Sequence, residues 1–582
     1  MSNMRKKLFN HKLALVLALL ASFIVAFPQI YFRFEHGSDG VYQGIELLPD
    51  SPWSARAREA QDGHLNFGNI YQKDGKDQPY LFQPLGSIIV GTLGKIFSLD
   101  INNTFLLSRF VFTFAVFLLI YSFVFLFSKN KFAALCSAAI LILAEATLSF
   151  SGLSRLLHGL SPDNFLRIGR PVNPAMVYFF LFAFLASFWL FYKRRNWRYG
   201  VLSVVILGLT FYNYFYTWTS LYAFGGLLAA MLIVRGSWRE GARVGGVFAA
   251  ALLLGVPYFI NLYNITIFPT YLEVSARIGV LVSHAPSFMG FTMIAALIVF
   301  LLWFPREDKE RYFFGLALLL TSFITHNQQI LTGKVLQEDH YHWFFNKPMA
   351  LIVVLVALLH LLASRGWHVY KKPLAFLIIS ASFGIGMFTQ VVSYYDDQRD
   401  GGTIAIERQR YGPVMKWLNE HAEKESVIFA NNEASHMVVI YTPLNVFYHR
   451  AVAFSTLSAT NVRVFDMMFT FYRLRGVGEE EVRDVFYSER GFISGAIYGI
   501  YYRELLSSYE AIPDEKIEEV IAEYQKALAT PTEEWLAQIW RQYEVEYLIW
   551  DKKSDPLWSL DKFEFLKKRA EFGDVVVYQF DK

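Results

Sequence analysis

Long hydrophobic runs recur from the start of the chain to about residue 394, separated by short polar stretches in which Lys and Arg gather. Residues 13–32, 105–127, 132–150, 174–192, 199–215, 221–234, 244–262, 288–304, 312–325, 349–363 and 374–392 predict about eleven transmembrane helices, each near the ~20 residues that a bilayer core requires. The run 80–99 is also apolar, but it holds Pro84, three glycines and Lys95. If it crossed, every later helix would invert and Lys193, Arg194 and Arg195 would lie outside. Laid along the outer surface as a juxtamembrane helix, it leaves the basic loops inside, as Lys/Arg bias requires. A tight outer turn is expected at Tyr216–Ser220 between two of the spans, and an aromatic belt at Asn213, Tyr214, Tyr216 and Trp218.

After Tyr394 the pattern changes. Asp396, Asp397, Arg399, Asp400, Gly401 and Gly402 mark a linker. Beyond it, 413–422, 515–529, 532–543 and 563–573 read as helices, and 426–431, 545–551 and 574–580 as strands. The expected fold is therefore a polytopic α-helical membrane domain, residues 1–394, and a soluble α/β domain, residues 395–582. An odd span count with a cytoplasmic N-terminus puts that second domain outside the cytoplasmic membrane, beside the first outer loop, residues 33–104.

Composition agrees. The 582 residues are 54% hydrophobic and 17% aromatic, with 18% charged and a net charge of +4; mean hydropathy is +0.30. The basic residues report orientation, so no nucleic-acid partner is expected. Cys136 is the single cysteine, which excludes an internal disulfide. Arg5, Lys6, Lys7 and Lys12 before Leu13 predict an uncleaved signal-anchor.

No phosphate-cradling GxxxxGK[ST], GxGxxG, GxSxG or HExxH pattern occurs. Candidate chemistry lies instead in the outer loops. Asp50 can serve as a general base or simply cap the helix that Ser51-Pro52 begins, with Trp53, Ala57 and Ala60 on one face and Gly63 at its end. Asp39 is a second candidate, or a turn residue in Ser38-Asp39-Gly40. Glu59 can pair with Arg56 at helical spacing, and Arg58 lies nearby. Arg155, Arg167 and Arg170 lie outside against the positive-inside bias, so they suit a lipid-linked phosphate or snorkel to headgroups. Glu145 lies near the outer end of a span. Tyr271, Glu273, Arg277 and His284 are expected on a short amphipathic helix, with interfacial packing as the alternative role. His340 and His342 alternate in Glu338-Asp339-His340-Tyr341-His342, poor spacing for a metal site.

Two segments, D50SPWSARAREAQDG63 and Q78PYLFQPLGSIIVG91, follow the N-terminal anchor. With R167IGRPVNP174 and N327QQILTGKVLQEDHY341 they resemble the membrane-embedded GT-C glycosyltransferases, a group that includes protein O-mannosyltransferases, aminoarabinose transferases and bacterial and archaeal relatives. The family's paired acids are replaced here by Asp50-Ser51, its double proline by Gln83-Pro84, and the WWDYG signature of oligosaccharyltransferases is absent, so asparagine-linked transfer is not expected. The resemblance implies inverting transfer of a sugar from a polyprenyl-phosphate donor to a glycan, lipid or protein acceptor at the outer face. Asp50, or Asp39, would be the base. Arg167 or Arg170 would meet the phosphate, and Arg58, Glu59, Tyr271, Glu273 and His340 would line the substrate cavity. Some relatives use a divalent metal, Mg or Mn, and others none. Two rival classes remain: a transporter or flippase, and a membrane scaffold whose working part is the C-terminal domain. Nearly charge-free spans with polar outer loops favour the transferase over transport.

Overall fold

The computed structural model describes residues 11–37, 51–288, 290–400, 404–499, 503 and 512–580. Ten of the eleven hydrophobic runs each form a helix over most of their length; the run 132–150 is helical only to Leu143 and then breaks into a 3-10 turn at Glu145–Leu148 before a short helix, Phe150–Leu157. Among the described residues, seven helices are long and apolar enough to cross a membrane: Lys12–His36, Ile101–Ser128, Pro171–Arg194, Phe215–Val234, Trp238–Thr266, Asp339–Ser364 and His368–Asp396. The other four, Lys131–Leu143, Trp197–Asn213, Phe291–Trp303 and Lys309–His326, are shorter or begin with charged residues. Leu85–Ile96 has 12 residues, about 18 Å of helix, too short to cross and consistent with a juxtamembrane element.

Local chemistry sets where these helices start and stop. Asp100 accepts from the Asn103 N–H, and Asn130 from those of Phe132 and Ala133, which satisfies first-turn donors. Lys129 and Arg195 end helices in the left-handed region, at φ 58° and 57°. Inside the bundle, apolar transfer adds little between helices in lipid, so close fit does more. Phe127, Trp189 and Phe314 stack edge to face at 5.3 and 5.0 Å. A Cβ on Gly225 would meet the Phe248 ring at 2.2 Å, so those two helices touch only because that side chain is missing.

Three local expectations are corrected. The turn expected at Tyr216–Ser220 falls at Tyr214, whose extended backbone lets Phe215–Val234 restart at once. His284 lies beyond the helix Tyr271–Arg277, past the strand Leu281–Val282 that pairs with Lys334–Val335. Residues 563–573, read as a helix, contain the strand Leu566–Phe572, which pairs antiparallel with Val575–Phe580. Gly573 at φ 60° makes the turn. Lys567, Lys568 and Arg569 read as a helix face but are the charged residues of an edge strand.

The C-terminal sheet has five strands in the order Asn445–Val446, Val427–Phe429, Val545–Asp551, Val575–Phe580, Leu566–Phe572. The first three are parallel and the last two antiparallel. The helices Gly412–His421, Asp514–Leu528 and Thr532–Gln542 bury apolar faces in the same core. This domain is joined to the membrane part by hydrogen bonds from Tyr441 Oη to Asn102 Oδ1 (3.0 Å), from Gln72 Nε2 to the Phe447 carbonyl (3.1 Å) and from the Val446 N–H to the Tyr71 carbonyl (2.7 Å).

Candidate functional site

The segment from Phe165 to Pro174 crosses the end of the helix bundle, where its backbone groups have little water to bond and must find partners in protein. The Phe165 N–H donates to Ser393 Oγ (3.1 Å) and the Leu166 N–H to Gln390 Oε1 (3.0 Å). Gln390 Nε2 in turn donates to the Val25 carbonyl (3.0 Å). Arg109 Nε donates to the Gly169 carbonyl (2.9 Å), and its Nη1 to Gln29 Oε1 (2.7 Å). Three spans thus hold the loop that carries Arg167 and Arg170.

These arginines line a cavity of about 350 Å³ together with Glu145, Tyr178, His340 and Trp343. Arg167 donates to Asp163 Oδ2 at 2.7 Å and its guanidinium lies 3.9 Å from the centre of the Trp343 ring. Lys347 Nζ lies 4.2 Å from the same ring and 3.0 Å from Glu145 Oε1. Each carboxylate lining the cavity is therefore matched by its own cation. Arg170 has no carboxylate partner among the described residues, and its Nε is buried without a hydrogen bond there. A buried guanidinium donor without a partner is costly. His340 Nδ1 lies 2.6 Å from Tyr214 Oη and packs against Tyr216 and Phe344. Tyr214 thus supports His340 from behind the cavity wall.

The first-loop helix Ser51–Asp62 lies against Leu85–Ile96 at backbone contact. A Cβ on Gly91 would come within 2.4 Å of the Ala57 carbonyl, and one on Gly94 within 2.0 Å of Gln61 Nε2. Ala57 beside Gly91 and Gln61 beside Gly94 make the two helices parallel, so both start at the same end. At that end Gly86 abuts Val172 and Asn213, two residues past Arg170. Gly63, at φ 99°, ends the helix as its position suggests.

Several of the described candidates lie elsewhere. Asp39 and Asp50 are outside the described residues. Arg58 pairs with Asp62 at 2.9 Å. Glu59 pairs with Lys76 (3.1 Å) and His64 (2.8 Å), not with Arg56. Arg56 is buried over the rings of Trp53 and Phe82 instead. Lys76 also reaches Glu425 of the C-terminal domain at 3.0 Å. Burial pushes the Glu59 carboxyl above its ordinary range although Lys76 and His64 oppose it. Glu425 is held below its range, because hydrogen bonds from Asn445 and Lys76 outweigh burial. Tyr271 and Glu273 sit on a helix that packs against residues 452–455 and 490–498; Glu273 pairs with Arg277 at 3.5 Å. Neither residue lines the cavity. Arg155 Nε donates to the Ser161 carbonyl at 2.7 Å.

Lys347, Trp343, Asp163 and Tyr178 belong to this site without being marked by any motif in the sequence. Lys347 stands just before the hydrophobic run that starts at Met349, yet the helix is continuous through it and buries it. A lysine inside a helix otherwise free of charge was the available signal. Among the described residues no group of three or more His, Cys, Asp or Glu is arranged to hold a metal ion.

Fold and site together define a polytopic helical membrane protein with an appended α/β domain and a cationic cavity at one end of its bundle. No family model and no curated protein matches the chain. Among solved structures, the chain is similar to the oligosaccharyltransferase of Archaeoglobus fulgidus. For the crystal structure tethered by a disulfide to an acceptor peptide containing the NVT sequon, identity is 12%, coverage 94% of this chain and 70% of that chain, and the TM-score 0.46. For the apo form the figures are 13%, 92%, 70% and 0.43. Scores of that size carry no weight for function.

Proposed function

We propose that this chain is a GT-C-type glycosyltransferase. It moves a sugar from a polyprenyl-phosphate-linked donor to an acceptor at the outer face of the cytoplasmic membrane, with inversion. One observation carries this reading: a cavity of about 350 Å³ at the bundle end whose lining includes Arg170, half-buried, with its Nε buried and with no carboxylate partner among the described residues. Guanidinium groups match phosphate oxygens in charge and geometry.

In the reaction, the acceptor O–H or N–H attacks the anomeric carbon while the bond from that carbon to the phosphate oxygen breaks. The leaving phosphate keeps the electron pair and gains negative charge. Arg170 and Arg167 stabilise that charge in a site partly screened from water, where such contacts count most. The acceptor's proton goes to a carboxylate, and Asp50 is the first choice. It directly precedes the helix Ser51–Asp62, whose start lies at the end where Gly86 meets Val172. Asp39 is the second choice. The membrane part, residues 1–394, performs the chemistry, and residues 395–582 present the acceptor on the same side. The described residues offer no metal ligand set, and the proposed steps use none.

The test is a transfer assay in membranes with radiolabelled polyprenyl-phosphate sugars, comparing wild type with Asp50→Asn, Asp39→Asn and Arg170→Ala at equal expression. Loss in Asp50→Asn and Arg170→Ala supports the assignment. Loss in Asp39→Asn but not Asp50→Asn moves the base and keeps the class. Wild-type turnover in Arg170→Ala would refute the phosphate role.

A further inference from the structure

The bundle carries a second cavity at its opposite end. It measures about 760 Å³ and lies where the basic loops gather. The helix Lys131–Leu143 shows its last residues to the first cavity and Lys131 and Phe132 to this one; Lys347–Ser364 likewise offers His360 and Ala363 here. The 13 residues of Lys131–Leu143 put the two cavities roughly 20 Å apart along the bundle.

The polar lining is Lys129, Lys131, Arg311, His360 and Lys371, with Glu307 as the carboxylate among them. Lys129 and Lys371 make no ion pair among the described residues, and Arg311 is tied to Asp308 at 3.3 Å. Burial, then Arg311, Arg194 and Lys193, push the Lys129 ammonium below its ordinary range, as expected where cations are crowded. The remaining wall is apolar: Phe125, Phe132, Val356 and Leu359, all on bundle helices. A general positive-inside bias needs only basic residues in the loops. It does not require them to converge on a cavity with one apolar wall.

We infer that this cavity binds the phosphate headgroup of an anionic phospholipid, with Lys129, Lys371 and Arg311 around the phosphate oxygens and the acyl chains along the Phe125, Phe132 and Leu359 wall. The ligand chemistry is a phosphate oxyanion, and the apolar wall selects the lipid over the free ion. Basic pockets between membrane helices take anionic headgroups on these terms.

Native mass spectrometry of the full-length protein in detergent, titrated with dioleoylphosphatidylglycerol or dioleoylphosphatidylcholine, reads the site directly. Equilibrium dialysis with labelled inorganic phosphate forms the third arm. Wild type is expected to hold one phosphatidylglycerol roughly tenfold more tightly than phosphatidylcholine. Lys129→Gln/Lys371→Gln should abolish that preference, and Glu307→Gln should strengthen it. Equal binding of the two lipids overturns the inference, as does an unchanged preference in the double variant. Inorganic phosphate binding as tightly as phosphatidylglycerol overturns the lipid assignment. If the double variant does not fold, Glu307→Gln decides, and a preference that does not rise counts against the site.

Discussion

Trp343 holds two cations over one ring, Arg167 at 3.9 Å and Lys347 at 4.2 Å. A lysine in place of Arg167 keeps the charge but loses the planar stack and the forked donors. Arg167→Lys is expected to lower kcat/KM for the donor roughly ten- to hundredfold, the size of one lost charge-assisted hydrogen bond. Steady-state kinetics at varied donor concentration check this; an unchanged kcat/KM would show that Arg167 serves only Asp163 and Trp343. The pair Glu145–Lys347 is nearly buried, with side-chain exposures of 12% and 4%. Removing one partner of such a pair strands the other charge and costs about 3–5 kcal/mol. Glu145→Gln and Lys347→Met should each lower the Tm in detergent, and the double variant should recover most of the loss. Additive losses would mean that the two charges are stabilised by other neighbours.

At the scale of elements, the parallel pair Ser51–Asp62 and Leu85–Ile96 depends on Gly91. Its missing Cβ is what lets the Ala57 carbonyl and Ala60 approach. Gly91→Val must push the first-loop helix away from the cavity, so transfer should fall at least tenfold while the bundle remains folded, because such sites tolerate little misplacement. Normal transfer by a folded Gly91→Val protein would detach that helix from catalysis. In the C-terminal sheet, Asp555 accepts from Asn431 Nδ2 at 2.6 Å near the end of the strand Val545–Asp551. Burial pushes its carboxyl up to about 6, with Asp551 adding to the shift and Asn431 opposing it. Since the folded value lies above the unfolded one, this group's contribution to stability is full below about pH 4. It is lost as pH rises through about 6. Asp555→Asn should therefore match wild type near pH 4 and exceed it at pH 8. Thermal melts across that range test the sign, and a variant less stable at pH 8 would contradict it.

Across the whole molecule, the two parts are tied by buried hydrogen bonds. Arg277 donates to the carbonyls of Ile497 (2.9 Å), Ala459 (2.5 Å) and Ala453 (3.3 Å), and to Asn461. Arg277→Met would leave those carbonyls buried without donors, at about 1–3 kcal/mol each if no water replaces them. Limited proteolysis should then cut near residues 490–499 well before the bundle is lost. Wild-type protection would mean that the remaining contacts hold the domain unaided.

What the sequence determined alone was whatever depends on local composition. Leu- and Phe-rich runs must be helices wherever lipid denies the backbone other partners, and the basic loops mark one end of the bundle. The helix after Ser51 and its stop at Gly63 were readable because a proline in the first turn and a left-handed glycine after the last are short-range chemistry. The segment 563–573 was not: its charges suit a helix face and an edge strand equally, and only its neighbour Val575–Phe580 decides. The cavity belongs to tertiary structure for the same reason. Arg167, Arg170 and His340 could each be flagged from type and position. That they share one space, while Arg58, Glu59, Tyr271 and Glu273 serve other contacts, follows from how helices far apart in sequence pack. Lys347 shows this most sharply: as a letter it is a span's flank, and only Glu145, some two hundred positions earlier, makes it part of the site.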